Sequence, residues 1–160
     1  IPGQLGGLIK MNAGLAGASI SDSLLAVRLA RGWVEREQIS FGYRRSGIKE
    51  PILGAKFKIS HGFNVSLAAD FAAKRANQPK GASFGSCFKN PLNDAAGRLI
   101  EAAGLKGHTI GGAKFSEQHA NFIINFGSAS FEDVIALINL AQSRVFEEFG
   151  IELETEVVVL

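Results

Sequence analysis

Residues 130–150 limit the possible folds of this chain more than any other stretch. Ser130 can cap an open helix end, Asp133 sits three positions on, and Val134, Ile135, Ile138, Ala141, Val145 and Phe149 recur at helical spacing before Gly150. A capping hydroxyl, an acid in the first turn, one apolar stripe and a closing glycine predict a long amphipathic helix with defined ends. Such a helix must bury its stripe against another layer.

The other layer is expected from short strands. Residues 24–29 alternate weakly, and 33–39 form a second strand candidate after an Arg31-Gly32 turn. Residues 52–60 alternate clearly, with Ile52, Ala55, Phe57 and Ile59 set between Lys56, Lys58 and Ser60. Residues 40–46 read as loop. A short helix is expected around 8–11, within an opening that carries glycines at 3, 6, 7, 14 and 17. The texture changes at His61-Gly62-Phe63. Asn64 then caps a helix to about 77, with Leu67, Phe71 and the stem of Lys74 on one face, and Gln78-Pro79 stops it. Residues 93–103 form another helix, apolar at Ala96, Leu99, Ile100 and Ala103. Short strands are expected at 114–115 and 122–125. Residues 151–160 alternate and then become wholly apolar, as a central strand would. The order predicts an α+β fold in two layers, divided into residues 1–62 and 63–160.

Composition excludes several classes. With 160 residues, 46% of them hydrophobic and 20% charged, the chain can bury a core. Seventeen Lys and Arg stand against 15 acids, with no basic run, so nucleic acid is not an expected partner. Cys87 is the only cysteine, which rules out a disulfide or a thiolate zinc site within the chain and fits a reducing cytoplasm. No apolar run reaches spanning length, so no membrane partner is expected. His61, His108 and His119 are too dispersed for a helical metal pair, and no metal is expected. Gly3-Gln4-Leu5-Gly6-Gly7 lacks the dinucleotide spacing, and Ser86 has no GxSxG elbow. The chain opens at Ile1 without a methionine, from which an upstream portion is expected; trimming of a few residues is the plainer alternative.

The segment with the most chemistry is Gly85-Ser86-Cys87-Phe88-Lys89-Asn90-Pro91. A proton donor, an ammonium and a carboxamide lie between a glycine and a proline, which suits a loop that reads an anionic small molecule. An ordinary turn between two elements uses the same residue types.

Four further segments, together with this one, carry a resemblance. Ile1-Pro2-Gly3-Gln4-Leu5-Gly6-Gly7 with Met11-Asn12-Ala13-Gly14, then Phe41-Gly42-Tyr43-Arg44, then the serine segment, then His119-Ala120-Asn121-Phe122-Ile123-Ile124-Asn125, and finally Leu153-Glu154-Thr155-Glu156-Val157 run in the order of the UDP-N-acetylmuramate dehydrogenase (UDP-N-acetylenolpyruvoylglucosamine reductase, MurB) family. The chain resembles its compact second type. Gln118, Thr155 and Val158 depart from the usual residues, which touches secondary substrate contacts.

The resemblance implies a fold and a set of roles. Residues 1–62 would be the later part of a vanillyl-alcohol-oxidase-like FAD-binding domain, whose N-terminal lobe lies upstream, and 63–160 the family's α+β substrate-binding domain. The implied activity is reduction of UDP-N-acetylglucosamine enolpyruvate to UDP-N-acetylmuramate, with FAD and NADPH. Ser86 would protonate the substrate carbon, Arg44 would bind the substrate carboxylate, and Glu156 would meet the developing enol. Pro2, Gly3, Gly7, Asn12, Gly14 and Arg44 would lie at the flavin. Lys89 and Asn90 would contact the UDP portion; His119 would either join them or fix the start of its strand. Cys87 is expected to be packed, and Arg45, Glu152 and Glu154 to face solvent. A second possibility is that the chain by itself is a UDP-sugar-binding module that retains no flavin. Another flavoprotein of oxidase-like fold fits less well, since an oxidase need not protonate a substrate carbanion.

Overall fold

The structure is a computed structural model and describes residues 3–15, 17–59, 61–62 and 64–159. The chain forms two compact units, Ile1–Lys74 and Arg75–Leu160. The expected line at 62/63 lies just before a helix that this division leaves with the first unit.

In the first unit, α1 (Leu5–Lys10) precedes a tight antiparallel pair, β1 (Gly14–Leu15) and β2 (Ala18–Ser19). A 3-10 turn at Ile20–Asp22 leads into β3 (Leu24–Leu29), followed by β4 (Gly32–Glu35) and a second 3-10 turn, Arg36–Gln38. The short hairpin β5 (Phe41–Gly42) and β6 (Arg45–Ser46) occupies the segment expected to be loop. β7 (Gly54–Phe57) and α2 (Val65–Lys74) complete the unit. The main sheet has the order β4-β3-β7, all antiparallel. The weak alternation of β3 has a physical cause: its register against β7 shifts between Leu24 and Ala26. Such a bulge inserts a residue and resets which side chains face inward. Leu24, Val27 and Leu29 therefore all reach the core with Ile9, Ile39 and Ile48. Strand β7 is shorter than the expected 52–60, although Leu53 N–H and Lys58 N–H still bond to Arg28 and Ser23 carbonyls. Asn64 caps α2 by accepting Leu67 N–H at 2.9 Å, and Lys74 Nζ lies over the Phe71 ring.

The second unit packs helices on a three-stranded sheet. α3 (Ala96–Ala102) is followed by β8 (Thr109–Ile110), β9 (Ala113–Phe115), β10 (Ile123–Asn125) and α4 (Phe131–Phe149). The sheet order is β10-β9-β8, and α4 lies against β8, β9 and α3. α3 starts later than expected because Asn93 takes a left-handed φ of 64°, which a helix cannot include. α4 starts and stops as expected: Ser130 Oγ accepts Asp133 N–H, the Asp133 carboxylate accepts Ser130 N–H, and Gly150 closes the helix at φ 67°. Its stripe is corrected in one respect. Leu137 is fully buried alongside Ile138, Ala141 and Val145, whereas Val134, Ile135 and Phe149 are only partly covered. The core also holds Phe88, Leu99, Ile100, Phe115 and Ile123. Each such side chain contributes about 1.5–3 kcal/mol by leaving water.

The expectation of a central strand at 151–160 is overturned. Among the described residues, 151–159 contain only an isolated bridge at Thr155, and Val158 and Val159 are 71% and 60% exposed. An apolar run resembles a buried strand in composition, but here Leu153 is buried while the tip at Val158 and Val159 is largely exposed.

Candidate active site

Residues 86–89 thread between two other segments of the second unit. On one side Ser86 bridges Phe122, and Cys87 N–H donates to the Asn121 carbonyl at 2.7 Å. On the other, Glu156 N–H donates to the Cys87 carbonyl at 2.8 Å, Phe88 bridges Thr155, and Lys89 N–H donates to the Glu154 carbonyl at 2.9 Å. Gly85 enters this path at φ 90°, a conformation that glycine adopts without penalty. Cys87 and Phe88 are buried and anchor the segment in the core. Ser86 and Glu156, far apart in sequence, are thereby brought to the same end of one small ladder, both half-buried. Glu152 and Glu154 are exposed.

The residues around this pair have defined local partners. Lys89 Nζ pairs with the Glu154 carboxylate across the ladder. Asn90 Oδ1 accepts Ala96 N–H at 3.1 Å and so caps the first turn of α3. His119 Nδ1 accepts Asn121 N–H at 3.3 Å, which leaves its ring proton on Nε2. The ring packs edge-on to Phe122 and close over Gly97, where an added Cβ would sit 2.9 Å from Cε1. Burial holds the His119 pKa below its usual value and favours the neutral ring. Burial likewise pushes the Cys87 thiol up to about 12, so it is packed and not ionised. An apolar groove of about 610 Å³ is lined by Phe84, Phe131, Ile135, Ile138 and Val157.

The first unit gathers the other set. Asn12 Nδ2 donates to the Gly42 carbonyl at 3.0 Å, and Arg44 Nη2 donates to the Gly14 carbonyl at 3.1 Å. The Arg44 guanidinium also lies over the Tyr43 ring, 5.1 Å from its centroid. Arg44 is half-buried, whereas Arg45 is exposed. Gly14 has no room for a side chain, because a Cβ would lie 2.4 Å from the Ala18 carbonyl oxygen in its own hairpin. At Gly7 a Cβ would meet nothing, and at Gly3 it would touch only the Leu8 side chain. Pro2 lies outside the described residues. Among the described residues, no group of three or more His, Cys, Asp or Glu could hold a metal ion, and no helix is long and apolar enough to cross a membrane.

Two contacts escape a reading of the sequence. Asn121 grips Phe88 through its side chain, signalled only by its being a polar residue inside the apolar run Ala120-Asn121-Phe122-Ile123-Ile124. Asp133 bonds Gly112 N–H at 3.0 Å as well as capping α4, and no local pattern announces that third contact.

Comparison with known proteins places the chain among relatives of one family. A family model described as UDP-N-acetylenolpyruvoylglucosamine reductase, C-terminal domain, matches residues 77–160. A Helicobacter hepaticus protein named UDP-N-acetylenolpyruvoylglucosamine reductase is 55% identical over 160 residues, all of this chain and 61% of that protein. Proteins of the same name from Campylobacter jejuni and Helicobacter pylori are 54% and 45% identical, again over all of this chain and 62% of each. The crystal structure of the Thermus caldophilus protein of this family superposes with a TM-score of 0.85 at 37% identity, over 99% of this chain and 61% of that one. The chain thus spans a little over three fifths of the relatives it matches.

Proposed function

The chain belongs to the UDP-N-acetylenolpyruvoylglucosamine reductase family, and from that membership we propose that it supplies the acid–base and substrate-holding residues for reducing UDP-N-acetylglucosamine enolpyruvate to UDP-N-acetylmuramate. This is a step of peptidoglycan precursor synthesis in the cytoplasm. The observation that carries the reading is the bond from Glu156 N–H to the carbonyl of Cys87, the residue next to Ser86, which brings the two segments side by side.

The first unit fits a large polar cofactor. Asn12 Oδ1 and Ser46 Oγ are buried and have no hydrogen-bond partner among the described residues. A polar atom left in that state costs about 1–3 kcal/mol, which a bound polar group would offset. Gly3, Gly7 and Asn12 would hold the flavin, on a loop that the Gly14–Arg44 bond keeps in place. FAD, when bound and reduced by NADPH, supplies a hydride to the terminal vinyl carbon of the substrate.

The chain's own residues then have three tasks. Arg44 holds the substrate carboxylate: a guanidinium is planar, offers five donors and stays charged at any working pH. Glu156 bonds the enol-like oxygen on which negative charge develops. Ser86 Oγ gives its proton to the neighbouring carbon, so that the double bond becomes a CH–CH3 unit, and Ser86 recovers a proton from solvent. An alcohol is a weak acid, so this transfer needs a strongly basic carbon, which such an intermediate is. Lys89, Asn90 and His119 border the UDP portion, Lys89 as a charge presented by Glu154.

Replacing Ser86 by alanine tests the reading. In the flavin-loaded holoenzyme, reduction of the flavin by NADPH should persist and its reoxidation by the enolpyruvyl substrate should nearly stop. Normal reoxidation would remove Ser86 from its role. A second reading has its own support, because the second unit carries Ser86, Lys89, Asn90 and Glu156 without help from the first. The chain alone would then bind the UDP-sugar and hold no flavin. Flavin absorbance of the purified chain, measured beside its stabilisation by the UDP substrate, separates the two.

A further inference from the structure

Asn121 is 3% exposed, and both polar ends of its side chain are given to one residue. Oδ1 accepts Phe88 N–H at 2.9 Å, and Nδ2 donates to the Phe88 carbonyl at 2.8 Å. A carboxamide presents an acceptor and a donor side by side, as a peptide group does. The side chain therefore acts as a strand partner for Phe88, while the Asn121 carbonyl bonds Cys87 N–H from the same side. From the opposite side Glu156 N–H holds the Cys87 carbonyl. The dipeptide that follows Ser86 is gripped on both edges, and one of the two grips carries Glu156.

We propose that Asn121 is a positioning residue for proton delivery: by clamping Phe88 and Cys87 it fixes the place of Ser86 relative to Glu156 without touching the substrate. This rests on Ser86 and Glu156 being the reacting pair. A slack clamp would let Ser86 drift, and a shift of about 1 Å in a reacting group can cost on the order of a hundredfold in rate. A residue that merely fills the core would instead lower stability and leave the balance between half-reactions alone.

Asn121→Asp distinguishes these. A neutral carboxylic acid offers the same acceptor and one O–H donor, whereas a carboxylate only accepts. Burial raises the pKa of such an acid, so the clamp should be intact at low pH, where the acid is neutral, and broken at high pH, where it ionises. Because His119 Nδ1 accepts the Asn121 N–H and itself titrates, each rate is taken relative to the unsubstituted enzyme at the same pH. In the holoenzyme, flavin reoxidation by the enolpyruvyl substrate should slow at least about tenfold at the higher pH and recover at the lower, with reduction by NADPH unchanged at both. Full rates at both pH values, or equal loss of both half-reactions, overturn the proposal. A second measurement holds whether or not that variant folds: in the unsubstituted protein the Phe88 amide should exchange with solvent as slowly as core helix amides such as that of Val145. Exchange as fast as at Gly85 also overturns it. Ser86→Ala assayed alongside separates the two ideas. Unimpaired Ser86→Ala refutes the role of Ser86 itself; impaired Ser86→Ala with an unimpaired Asn121→Asp refutes only the positioning.

Discussion

Asn12 and Arg44 hold each other's loops. Both take left-handed backbone angles, φ 42° and 53°, and each sends a side-chain donor to the other's neighbour: Asn12 Nδ2 to the Gly42 carbonyl, Arg44 Nη2 to the Gly14 carbonyl. The glycine-rich loop and the Phe41–Gly42 hairpin are tied by two crossed bonds. The conformation is one that Asn tolerates and arginine seldom adopts, so strain is held at the residue proposed to bind the substrate carboxylate.

Arg44→Lys should lose that fork. A lysine offers a point charge and cannot bond the Gly14 carbonyl and a carboxylate in the same planar geometry. The expected outcome is a fall in kcat/KM of more than about tenfold, or about 1.4 kcal/mol. Steady-state kinetics of the holoenzyme checks it, and unchanged kinetics would mark Arg44 as structural only.

Gly112 should not tolerate a side chain. A Cβ there would lie 2.3 Å from the Gly127 carbonyl oxygen and 2.5 Å from Ala129 N, both backbone atoms. Gly112→Ala is expected to destabilise the second unit by about 3 kcal/mol or more. Gly127→Ala is the control: its Cβ meets nothing within 4 Å, and the change should stay within about 0.5 kcal/mol. Urea unfolding of the two variants measures the contrast.

Acid should loosen the second unit through two carboxylates, Asp133 at the start of α4 and Asp94 just before α3, that accept backbone N–H bonds. Hydrogen bonds from Gly112 N–H and Ser130 N–H hold the Asp133 pKa below its usual 3.8. The Arg98 side chain, and then Ala95 N–H, lower Asp94 to about 2. A folded value below the unfolded one gives stability that is complete above about pH 4 and fades as pH falls through the folded value. For Asp94 the window runs from 3.8 down to about 2. Burial of His119 acts in the same direction from its usual 6.5 downward, because the unfolded chain takes up the proton first. The urea midpoint should therefore drop as pH is lowered, and Asp133→Asn should flatten the lowest part of that curve. An unchanged slope would show that Asp133 makes no net contribution there.

Cys87 should be unreactive while the protein is folded. Its thiol is fully buried and its pKa is pushed up to about 12. Alkylation at neutral pH should wait for unfolding, with a rate that follows denaturant concentration. Rapid labelling in native buffer would contradict the packing of the serine segment.

How much of this was legible depended on distance along the chain. α4 could be read almost to the residue because its signals are local: Ser130 with Asp133, the apolar period, and Gly150. The apolar period places the start of α3 three residues early, because a left-handed Asn93 leaves no periodic trace. The short β5–β6 hairpin and β8 leave no signal in the sequence, since two residues are too few to show alternation. Residues 151–159 pack on the core through Ile151, Leu153 and Val157 yet make only an isolated bridge, because apolar composition signals burial and not strand pairing.

The sequence by itself determined the family resemblance, the α+β class and the residue types able to do the chemistry, since these rest on short motifs and local periodicity. Only the tertiary structure decided that Ser86 and Glu156 share one end of a ladder, that Asn121 clamps Phe88, and that Asn12 and Arg44 cross. Each of these contacts joins segments about thirty or more positions apart. Their geometry follows from how the core packs, which no single segment encodes.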